Sequence, residues 1–288
     1  MSPPIPYTSG TASPKVPLPP NACDSHIHLY DAKLADAPSV LVDGTPENYR
    51  RIQARNGSSR TVIIQPAAHV FDNRATLDGI AALGPERTRG VAVINPDVSD
   101  AQLRAMHAGG IRGIRFTMFN PSTAVTRFEW VEGLAARVQQ LGWHVQIHWR
   151  GEQIVEHAAI LNKLRCTIVF DHMARLPRPE AEKHAAFTIV ARLIEQGRTW
   201  VKLSGPYLDD VGPDYASRAA VAQAFCKLAP ERMVWGSDWP HPTENVKPDD
   251  AHMLDLFGEW VGAVSGDPAL RDRILVDNPA TLYGFGAS

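Results

Sequence analysis

The stretch RTVIIQPAAHVFDNRATLDGIAALGPERTRGVAVINP, residues 60 to 96, reads as strand, helix, strand. Residues 60–67 (RTVIIQPA) and 90–96 (GVAVINP) are short aliphatic and β-branched runs without polar alternation. Such runs suit strands buried on both faces, as in a parallel sheet. Between them, 73–85 (NRATLDGIAALGP) places aliphatics at helical spacing. It starts beside an N-cap acceptor, Asp72 or Asn73, and stops at Gly84-Pro85. Parallel strands need a crossover of this length, so the stretch is one βαβ unit.

The pattern continues in both directions. Further strands are expected over 22–30, 111–119, 143–149, 167–173, 200–207 and 233–239, making eight. Helical stretches follow at 99–110, with Ser99 as N-cap, at 127–142 and at 151–164. Eight βα units in under 300 residues predict the α/β class and a (β/α)8 TIM barrel built as a single domain. The rival, a doubly wound open sheet, prefers a glycine-rich phosphate turn after its first strand. No G-x-G-x-x-G occurs, and His28 is followed by Leu29-Tyr30-Asp31. Residues 1–20 hold seven Pro and read as an extended N-terminal arm, leaving 21–288 for the barrel. Ala32 to Ser59 is long for a first βα connection and is expected to carry a lid or substrate loop.

Composition narrows the function classes. With 44% hydrophobic and 21% charged residues and a formal net charge of -2, the chain has the material for a large core. It lacks the basic excess that nucleic acid or an acidic membrane would attract. No run is long enough to span a membrane, and the arm lacks the apolar stretch of a signal peptide. Cys23, Cys166 and Cys226 lie far apart with no CxxC, so disulfides are not expected and a cytoplasmic protein is. The expected partner is a small molecule. The arm is expected to lie on the barrel surface or on a neighbouring subunit of a homo-oligomer.

In a barrel, chemistry sits at the C-terminal strand ends. Those ends offer His26 and His28, Gln65 with His69 beyond, Asn95, Arg115 and Thr117, His148, Asp171 and His172, Ser204 with Tyr207 beyond, and Asp238 followed by His241. His26 and His28 share a face because strand side chains alternate. Taken singly, each strand-end histidine has the ordinary reading of a hydrogen-bonded core residue. Several imidazoles and a carboxylate converging on one rim are the makings of a metal or hydrolytic site.

DSHIHLYD (24–31), FDHMAR (170–175) and VWGSDWPHP (234–242), in this order, resemble the amidohydrolase superfamily, and within it the lactone hydrolases similar to 2-pyrone-4,6-dicarboxylate lactonase. The resemblance runs from about Ala22 to the closing NPATLYGF (278–285). It implies opening of an anionic lactone, muconolactone-like (including sulfonated ones) or derived from a sugar acid. It makes Asp238 the general base and His172, His26 and His28 its catalytic companions. Arg115 and Arg175 would receive substrate carboxylates, with His69, His148, Ser204 and Tyr207 lining the substrate site. Two arginines of the dicarboxylate lactonase are not matched: Pro121 stands at one position, and SGPYLDD (204–210) follows the seventh strand where the other lies. His148 stands where metal-dependent members place a ligand. The resemblance therefore implies one Zn²⁺ or Mn²⁺ held by His26, His28, His148 and Asp238. No lysine ends the fourth strand, which argues against a second ion. The alternatives are an aldarolactone isomerase on the same residues, a metal-dependent decarboxylase of a neighbouring branch, and a barrel that only binds a small acid.

Overall fold

The computed structural model describes residues 4–34, 39–178, 181–210, 212 and 214–286. Eight parallel strands pair in chain order: β1 Cys23–Ile27, β2 Arg60–Ile64, β3 Thr88–Ala92, β4 Ile111–Thr117, β5 His144–His148, β6 Ile168–Phe170, β7 Thr199–Ser204 and β8 Met233–Gly236. Every expected strand is present, within a few residues at each end. Helices alternate with them: α1 Pro46–Asn56, α2 Arg74–Leu83, α3 Asp100–Ala108, α4 Val131–Gln139, α5 Gly151–Glu156, α6 Ala158–Lys163, α7 Ala185–Glu195, α8 Ala216–Leu228 and α9 Asp250–Ser265. This is the (β/α)8 arrangement, and aliphatic side chains buried between strands and helices form its main core.

The barrel closes through an irregular seam between β1 and the residues after β8. Asp24 accepts from Ser237 twice, from the amide at 2.9 Å and from the hydroxyl at 2.6 Å. The Asp238 amide then donates to His26 O at 2.8 Å, and the His28 amide to Trp239 O at 2.8 Å. A Cβ at Gly236 would lie 2.6 Å from the Cβ of His26, so only glycine lets the two chains approach this closely. Buried Asp24, pushed up to about 6 by desolvation against the opposing bonds from Ser237, is the hydrogen-bonding centre of the seam.

Two local expectations change. The long first connection is partly helix, because Thr45 caps α1 (Asn48 N to Oγ1, 3.3 Å) and Pro46 fits its first turn. Its residues 35–38 lie outside the described residues, while Ser39 borders the central cavity. Asn73 precedes α2 but makes no cap bond; its side chain is exchanged with the backbone of Val93, at 2.9 and 3.0 Å. Ser99 does cap α3, in a capping box with Gln102. The arm lies across the seam: Trp239 Nε1 donates to Pro6 O at 3.1 Å, and the Tyr7 ring packs edge-on against Trp239. No helix among the described residues is long and apolar enough to cross a membrane.

Candidate active site

At the C-terminal ends of the strands lies a cavity of about 450 Å³. His28, Tyr30, Arg115, Thr117, Phe119, His148, His172, Arg175, Asp238 and Glu244 are among its lining residues. The seam explains its reactive pole. Zipping β1 to Ser237–Trp239 carries Asp238 between the two β1 histidines. Asp238 Oδ1 stands 3.4 Å from His26 Nε2 and 3.3 Å from His28 Nε2.

Hydrogen bonds on the far sides of the rings decide what faces the carboxylate. His28 Nδ1 lies 2.8 Å from Ile64 O. A carbonyl only accepts, so Nδ1 carries the hydrogen and a neutral His28 turns a bare Nε2 toward Asp238. His26 Nδ1 lies 3.3 Å from Asp171 Oδ1 and 3.4 Å from Lys202 Nζ. Donation to Asp171 would leave its Nε2 bare as well, whereas acceptance from Lys202, which can only donate, would put the hydrogen on Nε2, facing Asp238. His26 Nε2 and Asp238 Oδ1 have no hydrogen-bond partner among the described residues. The lone pairs of His28 Nε2 and Asp238 Oδ1, turned on one another at 3.3 Å, need a proton or a cation between them. His26, His28 and Asp238 form a group able to hold a metal ion, with His28 oriented from behind by the Ile64 carbonyl.

The charge states follow from burial and neighbours. Desolvation would raise Asp238, but the surrounding imidazoles of His172, His28 and His26 hold it well below the usual carboxylate range. Burial, aided by Lys202, pushes His26 well below its ordinary value. Burial brings His172 down to about 4 and, with Arg115, carries His148 well below normal. At neutral pH these three imidazoles are uncharged and Asp238 is an anion.

The opposite wall is built from paired charges. Arg115 Nε bonds Asp171 Oδ2 at 2.8 Å, Gln146 Nε2 bonds the same oxygen at 3.0 Å, and Lys202 Nζ stands 3.6 Å from Oδ1. Those cations hold Asp171 well below its ordinary value despite its burial. A second group of potential metal-binding atoms, His26, Asp171 and His172, is therefore already supplied with positive charge. Lys202, lowered to about 8 by burial, also bonds Gln146 Oε1 at 2.8 Å. It was missed in the sequence because it lies within β7 and not at its end.

The expected site residues separate into those at the cavity and those behind it. Arg175 forks onto Asp209, with Nε–Oδ2 and Nη2–Oδ1 both 2.9 Å, and its guanidinium carbon lies 3.9 Å from the Phe119 ring centroid. Its Nη1 donates to His148 Nε2 at 3.2 Å. That ring stacks on Phe119 and stands outside both groups of potential metal ligands, contrary to its expected place as third imidazole ligand. His69 does not line the cavity: its Nε2 accepts the Asp31 amide at 3.1 Å and ties down the β1–α1 connection. Ser204 also sits behind the wall, 3.0 Å from His172 Nδ1. Tyr207, expected to touch substrate, instead donates its hydroxyl to Asp238 Oδ2 at 2.6 Å. The DHMAR turn holds His172 to Arg175 at φ between 46° and 59°, and Asp238 has φ 65°. Left-handed backbone costs a non-glycine residue roughly 1–2 kcal/mol, and such strain gathers at functional sites.

Residues 23–285 match the amidohydrolase family. The chain belongs to that family. It is 32% identical to the D-galactarolactone isomerase of Agrobacterium fabrum (strain C58), over 96% of this chain and 94% of the relative. It is 29% identical to the 2-pyrone-4,6-dicarboxylate hydrolase of Comamonas testosteroni, over 96% and 94%. It is 28% identical to the 4-sulfomuconolactone hydrolase of Rhizobium radiobacter, over 97% of both chains. Two of these relatives are named for lactones and the third for a pyrone, also a cyclic ester, which matches the class the amidohydrolase motifs imply.

Proposed function

We propose that this amidohydrolase hydrolyses the ester bond of a lactone bearing one anionic group, with Asp238 as general base. The carrying observation is the convergence of Asp238 Oδ1 with two imidazole nitrogens, the bare His28 Nε2 at 3.3 Å and His26 Nε2 at 3.4 Å, beside a cavity that Arg115 also lines. Asp238 takes a proton from water as the oxygen attacks the lactone carbonyl, and returns it to the ring oxygen as the C–O bond breaks. Lactone and water become a hydroxy acid. In the tautomer where Ser204 donates to His172 Nδ1, His172 would carry a hydrogen on Nε2 for the developing oxyanion. His26, His28 and Asp238 would hold one divalent ion, Zn²⁺ or Mn²⁺, which supplies carbonyl polarisation and a more acidic water.

Substrate charge follows from which cations remain available. Arg175 is neutralised by Asp209, in the segment where the dicarboxylate lactonase carries an arginine. Arg115 is tied only through Nε, and its Nη atoms have no partner among the described residues. One guanidinium edge receives one carboxylate or sulfonate. Three buried free cysteines suit a reducing, cytoplasmic setting.

The 32% identity to a galactarolactone isomerase favours a second reading, in which a substrate hydroxyl replaces water and Asp238 takes its proton. A panel of anionic lactones followed by pH-stat and mass analysis decides. Acid release with a gain of one water supports hydrolysis; a changed ring without either supports isomerisation; carbon dioxide release points to the decarboxylase. Turnover of 2-pyrone-4,6-dicarboxylate above all others overturns the single-anion reading. Elemental analysis of protein prepared without chelator, alongside the His148→Asn variant, tests the metal: metal content unchanged by that substitution is expected.

A further inference from the structure

A line of buried side chains runs away from the cavity behind Asp238, and the reaction as written does not use it. Tyr207 Oη donates to Asp238 Oδ2 at 2.6 Å. With its hydrogen committed there, the phenol oxygen can only accept from its other neighbour, His241 Nδ1, at 3.0 Å. His241 therefore carries a hydrogen on Nδ1. Its Nε2 stands 3.2 Å from Asp250 Oδ1, and neither atom has a hydrogen-bond partner in another residue among those described. The contact is a close approach without hydrogen-bond geometry, and it packs the Asp250 carboxylate against the far edge of the ring. The links nearer the cavity have one direction, from His241 through Tyr207 to Asp238.

The line has no outlet. His241 and Asp250 are both 0% exposed. Beyond them Arg55 Nη2 stands 3.8 Å from Asp250 Oδ2, and Lys247 Nζ donates to His241 O at 2.6 Å. Arg55 Nη2 also donates to Thr8 Oγ1 at 3.1 Å, which brings the N-terminal arm down over this end. A buried dead end does not deliver protons to solvent, but it can hold a carboxylate still. Asp238 needs holding, because the terminal torsion of a carboxylate has a broad energy well. Only one orientation of its plane presents one oxygen to His26 and His28 while the other accepts from Tyr207.

We propose that Tyr207, His241 and Asp250 are positioning residues, which lock the Asp238 carboxylate with Oδ1 turned toward the two β1 imidazoles. The kinetic consequence rests on the lactone reading; the hydrogen-bonded line itself does not, and is measured without substrate.

The test uses the full chain labelled with ¹⁵N-histidine. A slowly exchanging imidazole N–H resonance is expected in the wild type, lost in His241→Asn and shifted in both Tyr207→Phe and Asp250→Asn. On a lactone that the wild type turns over, Tyr207→Phe and His241→Leu should lower kcat about 10- to 100-fold, the worth of a hydrogen bond to a charged group. KM should stay within about threefold, since neither residue lines the cavity. His241→Asn places its amide nitrogen where Nδ1 stood and should recover much of the kcat lost in His241→Leu. The proposal is overturned if the folded wild type lacks the His241 resonance, if Tyr207→Phe leaves that resonance unmoved, or if it keeps kcat within about twofold. It is equally overturned if His241→Asn is no better than His241→Leu. A wild type inert on every lactone sinks the functional reading instead, and the resonance alone then upholds or overturns the line.

Discussion

The two sides of the cavity use the same residue types to opposite effect. On the seam side, His26 Nε2 and Asp238 Oδ1 are buried without hydrogen-bond partners, and a bare His28 Nε2 faces the same point. Across the cavity, Arg115 is paired with Asp171 and Arg175 with Asp209. Unsatisfied polar atoms are costly to bury and are kept where something binds or reacts; paired charges hold shape and set what fits. The reactive pole is therefore defined by bonding capacity left over, and the wall by charges already matched.

Replacing the base gives the sharpest contrast. Asp238→Asn should lower kcat by about 10²–10⁴, the usual worth of a general base, while thermal unfolding shows a folded protein. A variant within tenfold of wild type moves the base elsewhere, with His172 the next in line. On the wall, Asp171→Asn should instead cost about 3–5 kcal/mol of stability, because it leaves Arg115 and Lys202 buried without their counter-charge. Denaturant unfolding measures this, and a loss below about 1 kcal/mol would mean that the wall's pairing is not structural.

Acid should attack through the histidines. His26, His144, His148 and His172 are all held below their ordinary values by burial, with His144 near 3 and His172 near 4. The unfolded chain protonates them around 6.5. Between about pH 6.5 and 4 the unfolded state thus binds more protons, and stability falls as pH falls. Asp24, raised to about 6, opposes this with one proton between about pH 6 and 4. Four histidines outweigh it, so Tm should drop by about 5 °C or more across this window. A Tm unchanged between pH 6.5 and 4 would mean that these rings titrate alike in both states.

The smallest effect is expected from unpairing one wall charge. Asp209→Asn frees the Arg175 guanidinium, and KM for a lactone with a second anionic group should fall about three- to tenfold, of the order of one charge-assisted contact. An unchanged KM would mean that Arg175 does not reach substrate even when released.

Much of the molecule could be read from the chain. The eight apolar runs announce parallel strands because both faces of each are buried, and a period-two strand had to put His26 and His28 on one face. The WGSDWPHP segment directly after an apolar run placed Asp238 at a strand end. What escaped were roles fixed by partners far away in sequence. Lys202 looks like an ordinary strand residue until β5 and β6 bring Gln146 and Asp171 to it. His69 reads as a substrate-site residue until the Asp31 amide claims its Nε2.

By itself, then, the sequence determined the fold class, the family and which residues stand at the strand ends, because periodicity and local motif are short-range properties. The tertiary structure alone decided which polar atoms remain free. Closure of the barrel through Asp24 and Ser237 turned Asp238 between two histidines. The β7 loop brought Asp209 onto Arg175 and Tyr207 behind Asp238. Hydrogen-bonding capacity is used up by whichever neighbour arrives, and that neighbour is set by packing across the whole barrel.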